Sequence, residues 1–574
     1  MEFLNPTRRG TGLNQVEQWK LARHPLEVAE AVRTRYARRG AASVAEVPGE
    51  SERLKWVGIY PQRQGGDAFM LRIKVPAGRL TTEQAVRIGE LVDAFARGPE
   101  PHPVWGDRYC DLTTRQDVQM HWIRIEDVPT IWDALEEVGL TSVQACGDSA
   151  RNVLSCPVAG VDADEAFDAG PIARAISGFF TGNWEYANLP RKFKLSVTGC
   201  LDDCAQAEIN DVGLLPARLE DGTVGFDLLV GGGLSDGPRM ASQIDVFVPV
   251  EEAVECTRAI AQLFGELGNR ENRGFSRMRY LVEELGPEQF RAELAKRAAF
   301  ELVPAGEPLT RRHRGDHVGV HGEHRPGRSY VGCSVPVGRL SGADLAEAGR
   351  LARAYGDGEV RLATDQNLVL TGIPDDALED LVVEPLLGRH SPFPGPFSRG
   401  VVACTGSEFC RFAVVETKLR ALSWARQLDE RFAGRLAGPT GAGERPDGGV
   451  VRMHLSGCSA SCAQPQIADI GFRGDTAHVG EEIVEAVDVG IGGSLGEDAA
   501  FGDWVVGALP ADQVPAALVA LVGRYADERR GEEPLHAWAR RQDLGELRGL
   551  LGGPPVGAAS DGPAAEGSRR REQR

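Results

Sequence analysis

Val451-Arg-Met-His-Leu-Ser-Gly-Cys-Ser-Ala-Ser-Cys-Ala-Gln464, closed by Ile467-Ala-Asp-Ile-Gly471, has a twin upstream. The twin is Lys194-Leu-Ser-Val-Thr-Gly-Cys-Leu-Asp-Asp-Cys-Ala-Gln206, closed by Ile209-Asn-Asp-Val-Gly213. Gly-Cys-x3-Cys-Ala-Gln therefore recurs after 258 residues. Shorter matches keep the same order. Val75-Pro-Ala-Gly-Arg-Leu80 pairs with Val335-Pro-Val-Gly-Arg-Leu340, and Leu112-Thr-Thr-Arg-Gln-Asp117 with Leu362-Ala-Thr-Asp-Gln-Asn367. At offsets of 258 and 261, Ala145-Cys146 falls opposite Ala403-Cys404 and Val230-Gly-Gly-Gly-Leu-Ser235 opposite Ile491-Gly-Gly-Ser-Leu-Gly496. Solenoid repeats have periods of roughly 20–50 residues. A period near 260 is instead a doubled domain set, and it predicts a pseudo-twofold core.

Each copy opens with the same local grammar. Phe69–Val75 reads as a strand, and Pro76 and Gly78 turn the chain. Thr81 with Gln84 forms a capping box for a helix whose apolar stripe is Ala85, Ile88, Val92 and Phe95. A second strand carries Val118, Met120 and Trp122, and a helix follows near Val128–Val138. In the second copy Tyr330–Val335, Ser341 with Asp344, and Leu368 with Leu370 take the same parts. The expected fold class is α+β, with helices packed on mixed sheets.

The 64 basic residues against 83 acidic ones leave a net charge of −19, which argues against nucleic-acid binding. No run of 18 apolar residues is present and the N-terminus lacks an apolar leader, so the expectation is a cytoplasmic protein that does not span a membrane. Eleven cysteines, an odd number, suit metal or redox use better than disulfides. Residues 302–328, with Arg311–Arg314, His317, His321, His324 and Arg325, read as a basic, solvated connection between the halves, or part of a docking surface.

Only the second copy of the cysteine string is preceded by a complete partner pair, Cys404-Thr-Gly-Ser-Glu-Phe-Cys410. Four thiolates spaced Cys-x5-Cys and Cys-x3-Cys suit an iron–sulfur cluster. Zinc and plain buried thiols are the alternatives that spacing leaves open. The first copy keeps Cys146, Cys200 and Cys204, with Asn152 opposite Cys410 and Cys156 close by. Those cysteines read as relict thiols or as a second cluster. Arg72, Arg115, Arg151, Arg191, Lys192 and Lys194 gather beside the turns of the first copy, and Arg270, Arg273 and Arg277 add a stripe at helical spacing. Such a group suits a polyanionic cofactor and a small oxyanion.

Val402-Ala-Cys-Thr-Gly-Ser-Glu-Phe-Cys410 with Glu416-Thr-Lys418, Gly457–Cys462, Leu189-Pro-Arg-Lys-Phe-Lys194 and Arg151–Val161 together resemble the ferredoxin-dependent nitrite and sulfite reductases. The resemblance covers roughly residues 52–545. It implies a duplicated fold of ferredoxin-like half-domains and two sirohaem/cluster-type α/β domains. Read onto this chain, the parts are an N-terminal extension (1–51), a first half-domain (52–125) and a first sirohaem-type domain with a degenerate cluster site (126–301). After the linker (302–328) come a second half-domain (329–390), a sirohaem/[4Fe–4S] domain (391–550) and a disordered tail (551–574). The resemblance also implies one [4Fe–4S] cluster on Cys404, Cys410, Cys458 and Cys462, with Cys462 shared with the iron of one sirohaem. It places Arg72, Arg151, Lys192 and Lys194 around the bound anion, and Arg115, Gln119 and His121 near the sirohaem carboxylates. It implies a monomer taking electrons from a separate ferredoxin, in keeping with the lack of a Rossmann glycine motif in a suitable setting.

The implied reaction is six-electron reduction of nitrite to ammonia, in nitrate assimilation. Reduction of sulfite to sulfide by the same site is the alternative. A third reading is a monooxygenase of cobalamin synthesis on the same scaffold, and a fourth a zinc-stabilised interaction protein. Lys194 leans toward sulfite, because nitrite-specific members usually carry Asn there, whereas the strings at 69–84, 156–162 and 402–418 look closer to assimilatory nitrite reductases. Ala68 stands where some actinobacterial-type sulfite reductases carry a tyrosine crosslinked to the cysteine matching Cys146, so no such crosslink is expected. Ser459-Ala460 replaces the usual Pro-Asn between the last two cysteines.

Overall fold

The computed structural model describes residues 12–310, 315–436 and 449–556. Arg311–Arg314 and the tail beyond 556 lie outside the described residues. The chain forms two compact units, one covering residues 1–233 and 237–393, the other 234–236 and 394–574. Among the described residues no helix is long and apolar enough to cross a membrane.

The first unit contains two antiparallel sheets that exchange an edge strand. In one sheet the order is Ile59–Pro61, Ala68–Ile73, Val118–Arg124, Gly106–Leu112, and finally Arg339–Ser341 from the second repeat. In the other it is Gly319–Gly322, Arg328–Cys333, Leu368–Pro374, Glu359–Leu362, and finally Arg79–Thr81 from the first repeat. Each exchanged strand follows a matching turn. Ala77 (φ 56°) and Val337 (φ 57°) both adopt the left-handed region after a proline. Gln116 and Gln366 do likewise, and their amides complete the symmetry: Gln116 Nε2 donates to Leu362 O at 2.7 Å and Gln366 Nε2 to Leu112 O at 2.8 Å.

Behind the exchanged strands run the helices Thr82–Phe95 and Gly342–Tyr355. Thr81 and Gln84 form the expected capping box, and Ser341 accepts from the Asp344 amide. The two helices approach closely at glycines. A Cβ on Gly89 would sit 2.4 Å from Gly342 O, and one on Gly342 2.6 Å from Gly89 O. Ile88, Leu91, Val92, Leu345 and Leu351 are buried in the shared core. Each such side chain contributes about 1.5–3 kcal/mol by leaving water.

The cysteine strings lie on two sheets of identical plan. In the first unit the parallel strands Ala150–Leu154, Phe193–Val197 and Val212–Arg218 continue antiparallel into Val224–Val230 and Ser242–Pro249. In the second unit the parallel strands Val401–Ala403, Met453–Ser456 and Ile470–Val479 continue antiparallel into Glu482–Ile491 and Asp503–Pro510. Parallel neighbours need crossovers. The first crossover carries the helix Gly170–Phe180 in one unit and Lys418–Leu436 in the other. The second is the cysteine loop, bent by Gln206 (φ 58°) and Gln464 (φ 61°). Asp211 accepts from the Lys194 amide at 2.9 Å, and Asp469 from the Arg452 amide at 2.7 Å, tying each loop back to its strand.

Strand register corrects the pairing of cysteines between repeats. Val153 faces Leu195 where Val401 faces Met453. Leu195 and Met453 correspond through the 258-residue offset, so Val153 corresponds to Val401, an offset of 401 − 153 = 248. Cys156, not Cys146, is therefore the counterpart of Cys404, and Asp162, not Asn152, that of Cys410. The connection between repeats also departs from expectation. Asp316, His317 and Val318 are buried, and Gly319–Gly322 is a sheet-edge strand. Asp316–Val318 is therefore held in the fold by its side chains instead of running through solvent.

Candidate active site

In the second unit Cys404 follows the strand Val401–Ala403, and Cys410 ends the one-turn helix Gly406–Phe409. Cys458 and Cys462 lie in the loop after Met453–Ser456. Three of the four thiols are half-buried and Cys462 is exposed, so the group opens outward. The loop geometry needs its glycines. Gly406 has φ +68°, and a Cβ there would lie 2.4 Å from Thr417 Oγ1. The Gly457 amide donates to Cys404 Sγ at 3.2 Å, and Thr417 Oγ1 to Cys404 O at 2.6 Å. Burial, and then the neighbouring Cys462, push the Cys404 thiol up to about 12, and Cys458 is raised for the same reasons. Mutually repelling thiols turn into thiolates only when a cation joins them. Their sulfurs are not drawn in around one point: among the described residues, only Cys156, Cys200 and Cys204 put three ligand atoms within 4.8 Å of one another. A set of four neighbouring thiols with an open face fits a cluster that offers a separate iron to each thiolate.

The first unit presents the cations. A polar row crosses its sheet, with Arg72 paired to Gln119, Gln119 to Asp111 and Asp111 to Arg339. Arg72 Nη2 donates to Gln119 Oε1 at 2.9 Å and its guanidinium lies 5.2 Å from the centre of the Tyr60 ring. Arg151 is buried, with Nε donating to Gly147 O at 3.0 Å. Arg115 donates to Asn210 Oδ1 at 2.8 Å and to Asn152 O at 2.5 Å. Burial, followed by the charges of Arg151 and Arg72, lowers Arg115 to about 9. Lys192 and Lys194 flank Phe193 at the start of a strand and emerge on one side. Desolvation, then Arg115, Lys192 and Arg277, hold the Lys194 ammonium well below the ordinary lysine range. So many cations gathered beside so few carboxylates fit a polycarboxylate and a small anion.

The remaining expected residues divide. His121 is fully buried, with Nε2 2.9 Å from Asp111 Oδ2, and Asp111 also holds Arg339 at 2.7 Å. Arg191 faces Asp148 at 3.5 Å, and Asp148 also binds Arg273 at 2.7 Å and Lys20 at 3.7 Å. Arg270 pairs with Glu17 and Arg277 with Asp211. Arg270, Arg273 and Arg277 are therefore not a helical stripe. The helix ends at Leu267, and the arginines follow in turns capped by Asn269 and Asn272.

Two features were not singled out from the sequence. Lys74 is fully buried, lowered by desolvation to about 8, and donates to Thr181 Oγ1 at 2.9 Å. Near it, burial raises Asp117 to about 6. Lys74 lies two residues beyond Arg72 on the same strand run, so alternation alone could have flagged it. The second is Tyr60, which sits against Cys146. A tyrosine thus does reach Cys146, from the neighbouring strand and not from position 68. Although burial resists it, Arg151, Arg72 and Tyr60 bring the Cys146 thiol below its ordinary range.

The architecture matches known proteins in both of its parts. The family model described as "Nitrite and sulphite reductase 4Fe-4S domain" matches residues 146–302 and again 395–554. The one described as "Nitrite/Sulfite reductase ferredoxin-like half domain" matches residues 60–138 and 322–386. The assimilatory ferredoxin-dependent nitrite reductase of Haloferax mediterranei is 41% identical over 92% of this chain and 91% of its own. The ferredoxin–nitrite reductase of Synechococcus elongatus is 39% identical over 90% of this chain and 98% of its own. The solved structure of Mycobacterium tuberculosis NirA superposes with a TM-score of 0.85 at 32% identity, covering 94% of this chain and 98% of that one. With both domain types matched twice, in the order the internal duplication requires, the chain belongs to the nitrite and sulphite reductase family.

Proposed function

We propose that this chain is a ferredoxin-dependent nitrite reductase that converts nitrite to ammonia and water, consuming six electrons and seven protons. The observation that carries the reading is the 41% and 39% identity, over nine-tenths of the chain, to two ferredoxin-dependent nitrite reductases, beside a crowd of Arg72, Arg115, Arg151, Lys192 and Lys194 that suits a small anion. Cys404, Cys410, Cys458 and Cys462 would hold the [4Fe–4S] cluster, and Cys462, the most exposed, would also serve the sirohaem. When bound, cluster and sirohaem supply single electrons and the iron at which the nitrogen–oxygen bonds are broken.

The protein's own groups do the rest. Arg72 and Arg151 stay charged and clamp the anion. Lys192 and Lys194 bind it from a second side and stabilise charge that develops on its oxygens. A lysine whose pKa is lowered toward neutrality gives up a proton readily and regains it from solvent, so Lys194 suits repeated proton delivery as water leaves. Arg115 and Gln119 would hold the sirohaem carboxylates. His121, held by Asp111, supports this row instead of donating to the cofactor.

Reduction of sulfite to sulfide is the second reading, favoured specifically by the ammonium at position 194. Turnover with reduced viologen separates them, using nitrite and sulfite in parallel on the sirohaem-loaded enzyme. The nitrite reading expects the higher kcat/KM with nitrite, and ammonia as product. Preference for sulfite with sulfide formed overturns it.

A further inference from the structure

We propose that Cys156, Cys200, Cys204 and His317 form a structural zinc site in the first half of the chain. The three sulfurs lie within 4.8 Å of one another, with Cys200 and Cys204 3.9 Å apart. The His317 ring leans over the edge between Cys156 and Cys204: its Nε2 is 2.9 Å from Cys204 Sγ and 3.5 Å from Cys156 Sγ. A tetrahedral zinc ion with bonds of about 2.3 Å to sulfur and 2.0–2.1 Å to nitrogen needs sulfurs about 3.8 Å apart and S···N distances of about 3.5 Å. The sulfur triangle already has that scale, and His317 reaches two of its three sulfurs, so a small turn of the ring toward Cys200 would complete the tetrahedron. The triangle is too tight for a cubane cluster, whose thiolates bind different irons and stand farther apart.

The surroundings are those of a closed structural site. All four side chains are buried, and Val158, Ala159, Val161 and Val369 pack around the thiols. His317 Nδ1 is 3.3 Å from the Tyr330 hydroxyl, an arrangement that orients the ring and leaves Nε2 for a metal. The Asp202 amide donates to Cys200 Sγ at 3.4 Å, as amides do to metal-bound thiolates. Asp162, which stands where the second copy has Cys410, takes a hydrogen bond from Cys200 Sγ at 3.3 Å. The site therefore uses three positions of the duplicated thiol set and recruits its fourth ligand from the segment joining the repeats. Ligation would pin that segment, 113 residues beyond Cys204, to the first domain.

The test is metal analysis with zinc-edge X-ray absorption on the holoenzyme, purified without a histidine tag. One zinc per chain is expected, with three sulfurs at about 2.3 Å and one nitrogen at about 2.0–2.1 Å. Cys204→Ser and His317→Ala should each lose the zinc while the cluster and sirohaem iron stay. Tyr330→Phe should release zinc to a chelator about 10–100-fold more readily. Three results overturn the proposal: no zinc even after incubation with zinc salt and desalting, a zinc shell without sulfur, or about four extra irons per chain. If Cys204→Ser does not fold, the wild-type absorption spectrum decides alone.

Discussion

The two copies of one ancestral unit have kept opposite halves of their chemistry. The first carries Arg72, Lys74 and Arg115, and the second has Gly332, Ser334 and Asp365 at the matching positions, although Arg452 keeps the charge opposite Lys194. The second carries four thiols that are half-buried or exposed, and the first has three buried ones with Asp162 for the fourth. The backbone devices are the same in both: the left-handed glutamines, the aspartate that ties each loop to its strand, and the parallel–antiparallel sheet. The shared backbone holds a loop in place, and a few side chains decide whether it faces an anion, a cluster or a single ion. Gly332 illustrates how completely a position can change. A Cβ there would lie 1.8 Å from His317 O, so the site of Arg72 in the first copy is closed to any side chain in the second.

The largest expected difference comes from one substitution made in each copy. Cys462→Ser should abolish nitrite turnover and bleach the cluster absorption. Cys204→Ser, at the equivalent position, should leave cluster iron and turnover in place and lower only thermal stability. Equal damage from both would break the comparison. Within the cationic copy, Arg151→Ala should reduce kcat/KM for nitrite by about 100–1,000-fold, the usual cost of removing one preorganised charge partner. Steady-state kinetics on protein of unchanged cofactor content checks this. Lys194→Asn should shift the nitrite-to-sulfite ratio of kcat/KM by about tenfold or more in favour of nitrite, the scale of a lost charge-assisted hydrogen bond. An unchanged ratio would mean that position 194 does not select the anion.

Lys74 gives a pH signature that the second copy, with Ser334, lacks. Its pKa is lowered to about 8 in the folded protein, so the folded state binds fewer protons than the unfolded state between about pH 8 and the ordinary lysine range. The stability of cofactor-free protein should therefore climb through that window, and Lys74→Met should flatten the climb in denaturant titrations. The smallest effect tests the symmetry itself. Gln366→Ala removes the buried bond to Leu112 O and should cost about 1–3 kcal/mol. Gln116→Ala removes the bond to Leu362 O and two more to Ser155 and should cost more in chemical denaturation; an equal or smaller loss would show that the two exchanged edges are not held as described.

Much of this was legible in the sequence because duplication writes each signal twice. The capping box at Thr81 and Gln84, the Pro-x-Gly turns and the Gly-Cys-x3-Cys strings survive in both copies as local patterns. The cysteine pairing was not legible, because a ten-residue change of offset lies between Cys156 and Leu195 (258 − 248). Only strand register exposes it. His317 was hidden for another reason. It comes from a basic stretch without apolar periodicity, and only the tertiary fold carries it to Cys204. The arginines at 270, 273 and 277 misled because three-residue spacing also occurs in successive turns, where each side chain meets its own carboxylate.

The most direct test of the divergence is iron and zinc per chain, measured on one sample of sirohaem-loaded enzyme. Four cluster irons, one sirohaem iron and one zinc would agree with an open cluster site in the second copy and a closed single-ion site in the first. About nine irons and no zinc would contradict it, because both copies would then hold clusters.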